Sequence, residues 1–512
     1  MTTAISSILV VGGGTAGWLA ACRLAAAARP GAVSVTLVES PDVPTIGVGE
    51  GTWPTMRGTL QAIGVDEADF LAACDASFKQ GSRFDGWVSG AADDRYHHPF
   101  TSPPPLGARD LIAGWQALGG AFAEAVSPQP AVVAADLAPR QRAMPGYAGA
   151  LNYAYHLDAA KLAVFLADHA VRRLGVRHLR DHVVGVEREG ERVAAVRTRD
   201  HGALAADLFL DCTGHAALLI GADTMLVDRS GELFNDRALA VQVPVAPGSP
   251  IAATTNATAH EAGWIWDIGL PARRGVGCVY ASAYMSDDAA RATLDAYLSR
   301  TTPGVDPAGL SVRRLAFRSA HRDRFWVGNV VAVGLSAGFL EPLEASAIVT
   351  IELALDHLVA GFPASRDALA ASADTFNATF RYRWDRIVEF LKLHYVLSRR
   401  GEPYWQAHRD PATVPPRLAA LLDRWRHHPP SSLDLPEVDE VFPAASYQYI
   451  LYGMEFAPPP AGPMAGDREA AVHALRVLTD KARHLAAALP TNRAYLDLLA
   501  TPMAKTLDNL AR

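Results

Sequence analysis

The chain has 512 residues, of which 50% are hydrophobic and 20% are charged, with a formal net charge of −7. This length exceeds one simple core and predicts a large discontinuous domain or two to three packed modules. The acidic balance argues against nucleic acid as the main partner, and no segment reaches the ~18 uninterrupted apolar residues of a membrane-spanning helix.

The cysteines and the first residues indicate where the protein works. Four cysteines are widely spaced without a C-x-x-C pair, so neither a metal site nor a disulfide framework is predicted. The opening MTTAISSILVVGGG has no basic region and its apolar run stops at glycine, so no signal peptide is expected. We therefore expect a cytoplasmic protein without a metal and without a membrane partner.

The first forty residues have the pattern of a β-α-β unit. Residues 5–11 end in an apolar run that suits a buried parallel strand, and 16–29 form an alanine-rich helical pattern. Residues 33–39 alternate apolar and polar side chains, as a second strand would. A nucleotide-binding unit of the Rossmann type is the expected structure.

A glycine-rich turn joins the first predicted strand to its helix. Gly12, Gly14 and Gly17 form G-x-G-x-x-G, which permits a tight turn and close approach of the backbone to a pyrophosphate at a helix N-terminus. Glu39 ends the second strand and is placed to take ribose hydroxyls. A glycine turn without a ligand is the alternative interpretation.

Later segments extend the α/β pattern. The predicted elements are a helix over 158–174, strands over 182–188 and 192–198, a β-rich stretch over 238–284, a buried strand over 330–335, a helix from about residue 344 and mostly helical structure from 366. Glycine-bearing turns at 211–214 and 330–339 follow two of the strands. One dinucleotide motif with these two turns favours FAD and leaves no evident module for NAD(P)H.

Seven segments in order resemble the flavin-dependent tryptophan halogenase family. They are GGGTAGW (12–18), IGVGEGTWP (46–54), FKQGSRFDGW (78–87), YHHPF (96–100), AYHLDAAKLAVFL (154–166), WIWDIGLPARRGVGCVY (264–280) and GLSAGFLEPLEAS (334–346). A weaker match covers 446–459. The resemblance implies an α/β fold of the FAD-binding monooxygenase type, with a halogenation module over 1–365, a β-rich substrate region at about 220–300, and a helical subdomain over 366–512 covering the substrate pocket.

The resemblance also implies the cofactor chemistry. FADH2 from a separate flavin reductase would react with O2 to give a flavin hydroperoxide, which oxidises chloride or bromide to hypohalous acid. The implied FAD-binding residues are Gly12, Gly14, Thr15, Ala16, Gly17, Glu39, Val48, Gly49, Glu50, Val183, Gly334, Leu335 and Ile348. Trp264 and Trp266 would lie beside the flavin and keep the substrate away from it, although Gly269 stands where the family has proline. Two core tryptophans are the alternative.

Lys79 is the predicted halogen donor. Taken alone, a solvated surface lysine is the simplest interpretation. The resemblance places it at the substrate end of an internal tunnel, where it would hold hypohalous acid or form a haloamine, and where desolvation would lower its pKa. Glu344 matches the family's catalytic glutamate, with Glu341 as a nearby rival and a helix N-terminal carboxylate as the alternative.

The halide and the aromatic substrate have their own predicted positions. Ser346 and Ala347 would hold halide on backbone amides at a helix start, although the family has glycine at 347 and alanine adopts a positive φ with difficulty. His98 and Phe100 match a segment that stacks on an indole ring, and Ser82 replaces a common apolar residue. Candidates for recognising an amino-acid group are Tyr447, Tyr449 and Glu455.

The weak C-terminal match favours an indole or another electron-rich aromatic over free tryptophan. A homodimer is a candidate assembly. Two other functions stay open from the sequence: an aromatic monooxygenase of the same fold, which would not need Lys79 or the tryptophan pair, and a catalytically idle flavin-binding protein.

Overall fold

The computed structural model describes residues 4–43, 49–437, 440–459 and 466–500. The chain forms two compact units, each built from segments that are distant in sequence. Unit 1 comprises Met1–Asp75, Leu157–Arg229 and Arg318–Asp385, and unit 2 comprises Ala76–His156, Ser230–Phe317 and Arg386–Arg512. The functional modules expected at 1–365 and 366–512 stay predictions.

A six-stranded sheet is the centre of unit 1. Its order is Trp326–Val327, Val330–Ala332, Leu208–Asp211, Ser7–Val11, Ser34–Glu39 and Arg177–Arg180. All neighbouring strands are parallel except the first pair, which is antiparallel. Ile8 to Val11 are buried in the middle of this sheet, as expected for a parallel strand covered on both faces. The predicted β-α-β unit is therefore present.

Helices and two small sheets complete unit 1. Thr15–Ala27 follows the first strand and packs against Ala159–Leu174 and Ser346–Ala360. The other helices are Thr55–Ala62, Glu67–Ala73 and the first part of Leu369–Val396. One small sheet contains Val183–Glu189, Arg192–Thr198 and Gly202–Ala205. The other contains Leu226–Asp228, Ala320–Arg322 and Gly338–Phe339. Asp158 caps Ala159–Leu174 by accepting the N–H groups of Ala160 and Lys161, which fixes where that helix begins.

Unit 2 contains a seven-stranded sheet. Its order is Val312–Ala316, Arg237–Pro244, Arg273–Tyr280, Gly263–Gly269, Thr255–His260, Gly81–Asp85 and Arg95–Pro99. The pairs are antiparallel apart from Thr255–His260 with Gly81–Asp85. A separate antiparallel pair joins Ser77–Lys79 to Ala154–Leu157. The β-rich region predicted within 238–284 is the middle of the large sheet.

The helices of unit 2 come mainly from the end of the chain. They are Ala108–Leu118, Phe122–Val126, Gln129–Ala134, Asp287–Thr301, Pro403–Ala407, Pro416–Trp425, Ala444–Gly453, Arg468–Ala488, Asn492–Ala500 and the last part of Leu369–Val396. The α/β fold with a helical C-terminal region is thus confirmed. Within the described residues, none of the helices has the length and apolar character needed to cross a membrane.

Candidate active site

The predicted dinucleotide turn lies at the carboxyl end of the central strand of unit 1. Gly12 has φ +110°, and a Cβ on it would lie 2.2 Å from the Cys212 carbonyl oxygen, so only glycine fits there. Helix Thr15–Ala27 has no side-chain cap on its first N–H groups. These amides are therefore available to an anion. The cradle fits the pyrophosphate of FAD.

Glu39 lies against this turn. Its Oε1 is 2.8 Å from His178 Nε2, and its Oε2 occupies the place where a Cβ on Gly13 would stand. The carboxylate is partly exposed, so a ribose hydroxyl can reach it. This position is compatible with the prediction that Glu39 binds the hydroxyls of a ribose.

The two glycine-bearing turns seen in the sequence are adjacent in unit 1. The Asp211 carboxylate accepts the backbone N–H groups of Leu219 and Ile220, which orders the segment after its strand. Ser336, in the turn after Val330–Ala332, donates its hydroxyl to the Asp211 carbonyl oxygen. A single network therefore holds both turns beside the central strand.

The other predicted flavin residues are spread over unit 1. Thr15, Ala16 and Gly17 form the first turn of Thr15–Ala27, Glu50 begins a short strand after Gly49, Val183 begins Val183–Glu189, Gly334 and Leu335 lie in the turn after Val330–Ala332, and Ile348 is buried in Ser346–Ala360. Val48 lies outside the described residues. The FAD-binding role of these residues stays a prediction.

Lys79 is buried in unit 2, with a relative exposure of 1%. It ends the strand Ser77–Lys79, opposite Ala154, and its Nζ lies 5.4 Å from the centre of the Phe100 ring. Burial, and then the charge of Lys79, hold the pKa of His156 well below its usual range, so His156 is neutral. The surface-lysine interpretation is therefore wrong.

The residues on either side of Lys79 fix its strand. Phe78 packs edge-on against the rings of Tyr153 and Tyr495, and its carbonyl oxygen accepts the Asn492 side-chain amide. Gln80 donates its backbone N–H to the Ala253 oxygen and its side-chain amide to the Leu137 oxygen, both at 2.7 Å. Lys79 is thus held by rigid neighbours in the chain.

The predicted aromatic site is partly assembled around His98. Ser82 and His98 are direct partners across the strands Gly81–Asp85 and Arg95–Pro99. His98 Nε2 lies 3.0 Å from Ser446 Oγ, and its ring is 6.1 Å from that of Tyr449. Phe100 donates its backbone N–H to the Gln80 carbonyl oxygen, which ties it to the residue after Lys79.

The three C-terminal candidates occupy different surroundings. Tyr449 donates its hydroxyl to the Thr101 oxygen at 2.8 Å, close to His98. The Tyr447 ring packs among Phe390 and Trp425, and burial raises its pKa. Glu455 forms an ion pair with Arg399 at the surface, with 65% of its side chain exposed. The structure brings only Tyr449 to the His98 ring.

Trp264 and Trp266 lie on the strand Gly263–Gly269, where both are buried, with ring centres 6.4 Å apart. Gly277 faces Trp266 across the sheet, and a Cβ on Gly277 would lie 2.1 Å from the indole ring. The bare backbone of Gly277 therefore makes room for that ring. Trp264 continues the aromatic packing to Trp87, at 6.2 Å.

Glu344 and Ala345 have left-handed backbone conformations in unit 1, with φ +62° and +54°. Glu344 is 8% exposed, and its carbonyl oxygen accepts the Trp53 Nε1–H at 2.8 Å. Glu341 is fully buried nearby in the sequence. Non-glycine residues in this conformation cost about 1–3 kcal/mol each and concentrate at functional sites.

The predicted halide residues begin the helix Ser346–Ala360. Ser346 is buried, and the helix has no side-chain cap on its first amides. Ala347 lies within the first helical turn and does not need a positive φ. The residues with positive φ are Glu344 and Ala345. The arrangement suits an anion at the helix N-terminus.

Two features of the structure were not singled out from the sequence. Glu352 is buried on the same helix as Ser346, where it accepts the hydroxyls of Thr55 at 3.0 Å and Thr59 at 2.5 Å. An acid within the apolar run AIVTIELAL was a usable signal for it. A cavity of about 530 Å³ lies in unit 2, beside Arg83, Arg95 and His97.

Comparison with known proteins gives consistent results. The family model for tryptophan halogenase matches residues 7–469. A 7-chloro-L-tryptophan 6-halogenase, KtzR, from Kutzneria sp. (strain 744) is 34% identical, over 96% of this chain and 98% of its own length. A crystal structure of a tryptophan halogenase from Shewanella frigidimarina NCIMB 400 has a TM-score of 0.93, with 41% identity over 97% and 98% of the two chains. BrvH, a flavin-dependent halogenase from Brevundimonas sp. BAL3, has a TM-score of 0.85, with 32% identity over 96% and 99%.

Glu352 makes the stability of unit 1 depend on pH. Burial raises its pKa from 4.5 to about 7. Between these values the folded protein holds a proton that the unfolded chain has lost, so the free energy of unfolding falls as pH rises, by about 3 kcal/mol in total. Glu352→Gln should remove this fall. Urea unfolding at pH 5, 6, 7 and 8 measures the effect.

The exposed Glu189→Gln is the control for this prediction, since it removes a carboxylate from the surface of the same unit. It should keep the wild-type pH dependence. An equal slope in the wild type and in Glu352→Gln would contradict the raised pKa.

Proposed function

The chain belongs to the tryptophan halogenase family and is a flavin-dependent halogenase, and we propose that it halogenates an indole or another electron-rich aromatic ring at Lys79. The burial of Lys79 beside the Phe100 ring is the observation that carries this proposal. A lysine removed from water can hold an electrophilic halogen, and an aromatic side chain beside it can stack on a flat ring.

The oxidant comes from the flavin. Reduced FAD, when bound, passes electrons to O2 and so supplies the oxidising power that converts chloride or bromide into hypohalous acid. The cradle at Gly12 and the carboxylate of Glu39 would hold the pyrophosphate and a ribose. A separate flavin reductase supplies the reduced FAD. The first amides of Ser346–Ala360 would hold the halide.

Lys79 confines the halogen. Hypohalous acid diffuses and attacks thiols and methionines, so a relay inside the protein to one fixed nitrogen is needed for selectivity. The Lys79 nitrogen can donate a hydrogen bond to the oxygen of hypohalous acid, or exchange with it to form a haloamine and water. In either form the halogen bonds to a ring carbon with the ring's electron pair, and the overall change is aromatic C–H plus hypohalous acid to aromatic C–halogen plus water.

A base must remove the ring proton as aromaticity returns. We assign this role to Glu344, which has a left-handed backbone two residues before the helix Ser346–Ala360. Glu341 is the alternative base on the same segment. The strained backbone favours Glu344, because such conformations are retained where function requires them.

The surroundings of His98 support an aromatic substrate. His98 and Phe100 are the rings we propose for stacking on the substrate, and Ser82, the strand partner of His98, makes its surroundings more polar than an apolar residue would. Glu455 is paired with Arg399, and Tyr447 packs within its own ring cluster. Both residues are thus engaged in other contacts. This favours a substrate whose recognition does not require Tyr447 and Glu455 to bind an amino-acid group.

Analysis of the product tests the proposed reaction. Indole and tryptophan are each incubated with the enzyme, a flavin reductase, NADH and either chloride or bromide, and are analysed by mass spectrometry. We expect a halide-dependent product with the chlorine or bromine isotope doublet, and more of it from indole. A hydroxylated product without halide dependence would indicate a monooxygenase, and unchanged substrates would contradict the proposal.

Lys79→Met should lower product formation roughly 100-fold or more, because the halogen loses its fixed position. Flavin reoxidation should continue, with hydrogen peroxide or free hypohalous acid appearing in solution. Lys392→Met is the matched control, since Lys392 is another fully buried lysine of unit 2, which bonds Glu232, His408 and Thr413. That variant should lose stability and keep product formation per folded molecule. Undiminished product from Lys79→Met would remove the proposed role.

Glu344→Gln should lower the turnover rate by about 10²–10⁴-fold, as expected for loss of a positioned base. FAD binding, measured by flavin fluorescence, should be unchanged. Glu341→Gln is the comparison variant, and a larger loss there would move the role to Glu341. Loss of FAD binding in Glu344→Gln would show that Glu344 is structural.

A further inference from the structure

The geometry of unit 2 points to His156 as the base that exchanges a proton with Lys79. This inference rests on the proposed halogenation and deepens it, because it names the residue that converts the Lys79 ammonium into an amine. An ammonium group has no lone pair, so a haloamine can form only after Lys79 has lost a proton. Lys79 is 1% exposed, so an acceptor inside the protein is needed.

The pairing of two short strands places His156 and Lys79 on one face. In the antiparallel strands Ser77–Lys79 and Ala154–Leu157, Lys79 is directly opposite Ala154, which makes His156 its diagonal neighbour. The Cα atoms of diagonal neighbours are roughly 7–8 Å apart, a separation that a long side chain can span. Ala154 has only a methyl group and takes little of the space on this face. The register therefore brings the lysine and the imidazole together.

One ring nitrogen of His156 is available as a base. The side chain is fully buried, and its Nε2 lies 2.9 Å from the hydroxyl oxygen of Thr255, whereas Nδ1 has no hydrogen-bond partner among the described residues. When Nε2–H donates to Thr255, Nδ1 keeps its lone pair. The reverse tautomer would bury an N–H group without an acceptor, which is the rarer arrangement in proteins. Nδ1 is thus the atom that can take a proton.

Lys79 and His156 share one positive charge. Burial, and then the charge of Lys79, hold the pKa of His156 well below its usual range, so the resting pair is an ammonium and a neutral imidazole. The other described groups that face His156 are the neutral hydroxyls of Ser77, on the paired strand, and Thr255, on the large sheet. Transfer of the proton to Nδ1 removes the charge on Lys79 that lowered the pKa of His156. The exchange therefore moves one buried charge and creates none.

Each proton and each electron pair has a destination in this exchange. Lys79 passes a proton to His156 Nδ1, directly or through one water molecule, and the amine then attacks the halogen of hypohalous acid. The N–halogen bond forms, the O–halogen bond breaks, and a second N–H proton goes to the hydroxide, which leaves as water. When the electron pair of the ring takes the halogen, the N–halogen bond breaks and the nitrogen recovers a proton from the His156 imidazolium. The ring proton leaves separately, to the base already assigned to it.

The pH dependence of His156→Gln tests this exchange. The glutamine amide can keep the hydrogen bond to Thr255 but has no basic nitrogen. Proton transfer within the wild-type pair does not depend on pH, whereas the variant forms the amine only by losing a proton to solvent. Halogenated indole is measured per flavin oxidised in single turnovers. At pH 6.5 we expect about 100-fold less product from the variant than from the wild type, and this deficit should shrink about tenfold per pH unit.

Ser77→Ala is the matched control, because it removes a neutral hydroxyl from the same face of the strand pair. Any loss of product in this variant should be the same at every pH. A ratio of variant to wild type that is also independent of pH for His156→Gln would show a purely structural role and would overturn the inference. If His156→Gln does not fold, His156→Asn replaces it, since asparagine also lacks a basic nitrogen.

Titration of His156 by NMR, in histidine-labelled protein without flavin, is a second measurement. Its midpoint should move to higher pH in Lys79→Met, because the charge that lowers the pKa of His156 is removed. In Lys392→Met, which removes the other fully buried lysine of unit 2, the midpoint should stay at the wild-type value. An equal midpoint in the wild type and in Lys79→Met would overturn the inference even if no His156 variant folds.

Failure of this inference and failure of the proposed function give different results. Halogenated product with a pH-independent ratio removes the role of His156 and leaves the halogenase. No halogenated product from the wild type at any pH overturns the proposed function, and the haloamine step with it, whatever midpoint His156 shows.

Discussion

A lysine side chain held out of water is the constraint on which unit 2 depends. Removing an ionised amine from solvent costs several kcal/mol, and packed apolar residues would be at least as stable in its place. Lys79 is nevertheless buried, with Phe78 and Gln80 anchored on either side. His156 stays neutral beside it, which avoids a second buried charge. Lys392 is a second buried lysine of unit 2, and it bonds Glu232, His408 and Thr413.

Unit 1 contains strained backbone, which also costs folding free energy. Glu344 and Ala345 are consecutive non-glycine residues in the left-handed region, immediately before the helix Ser346–Ala360. Glycine would relieve the strain at either position. At position 344, however, glycine would also remove the carboxylate. The bond from Trp53 Nε1 to the Glu344 carbonyl oxygen helps to hold the turn. Buried charge in one unit and strained backbone in the other are both features that stability alone would not select.

The sequence predicted features that depend on local pattern. The glycine turn at Gly12, the strand of Trp264 and Trp266, and the helical end of the chain follow from periodicity and motif. The helix predicted from about residue 344 begins at Ser346, because Glu344 and Ala345 have left-handed backbone conformations that a helix cannot include. The contacts of Tyr447 and Glu455 could not be predicted, since Phe390 and Arg399 come from another segment. Pairing between distant segments leaves little trace in one sequence.

The paired strands Gly81–Asp85 and Arg95–Pro99 show why the cavity beside Arg83 and Arg95 escaped the sequence analysis. Neighbouring residues on a strand point to opposite faces, so Ser82 and His98 share one face, and Arg83 and His97 share the other. Ser82 and His98 lie in segments that resemble the halogenase family and carry a predicted role, whereas Arg83 and His97 match no motif with a role. The register between the two strands controls both pairs. A shift of one residue in this register would turn each side chain to the other face, so both pairs would be lost together. Groups placed on paired strands are more rigid than groups on loops, so Ser82 and His98 are held at a fixed distance from each other. Regioselective chemistry on a small flat ring requires that kind of fixed distance.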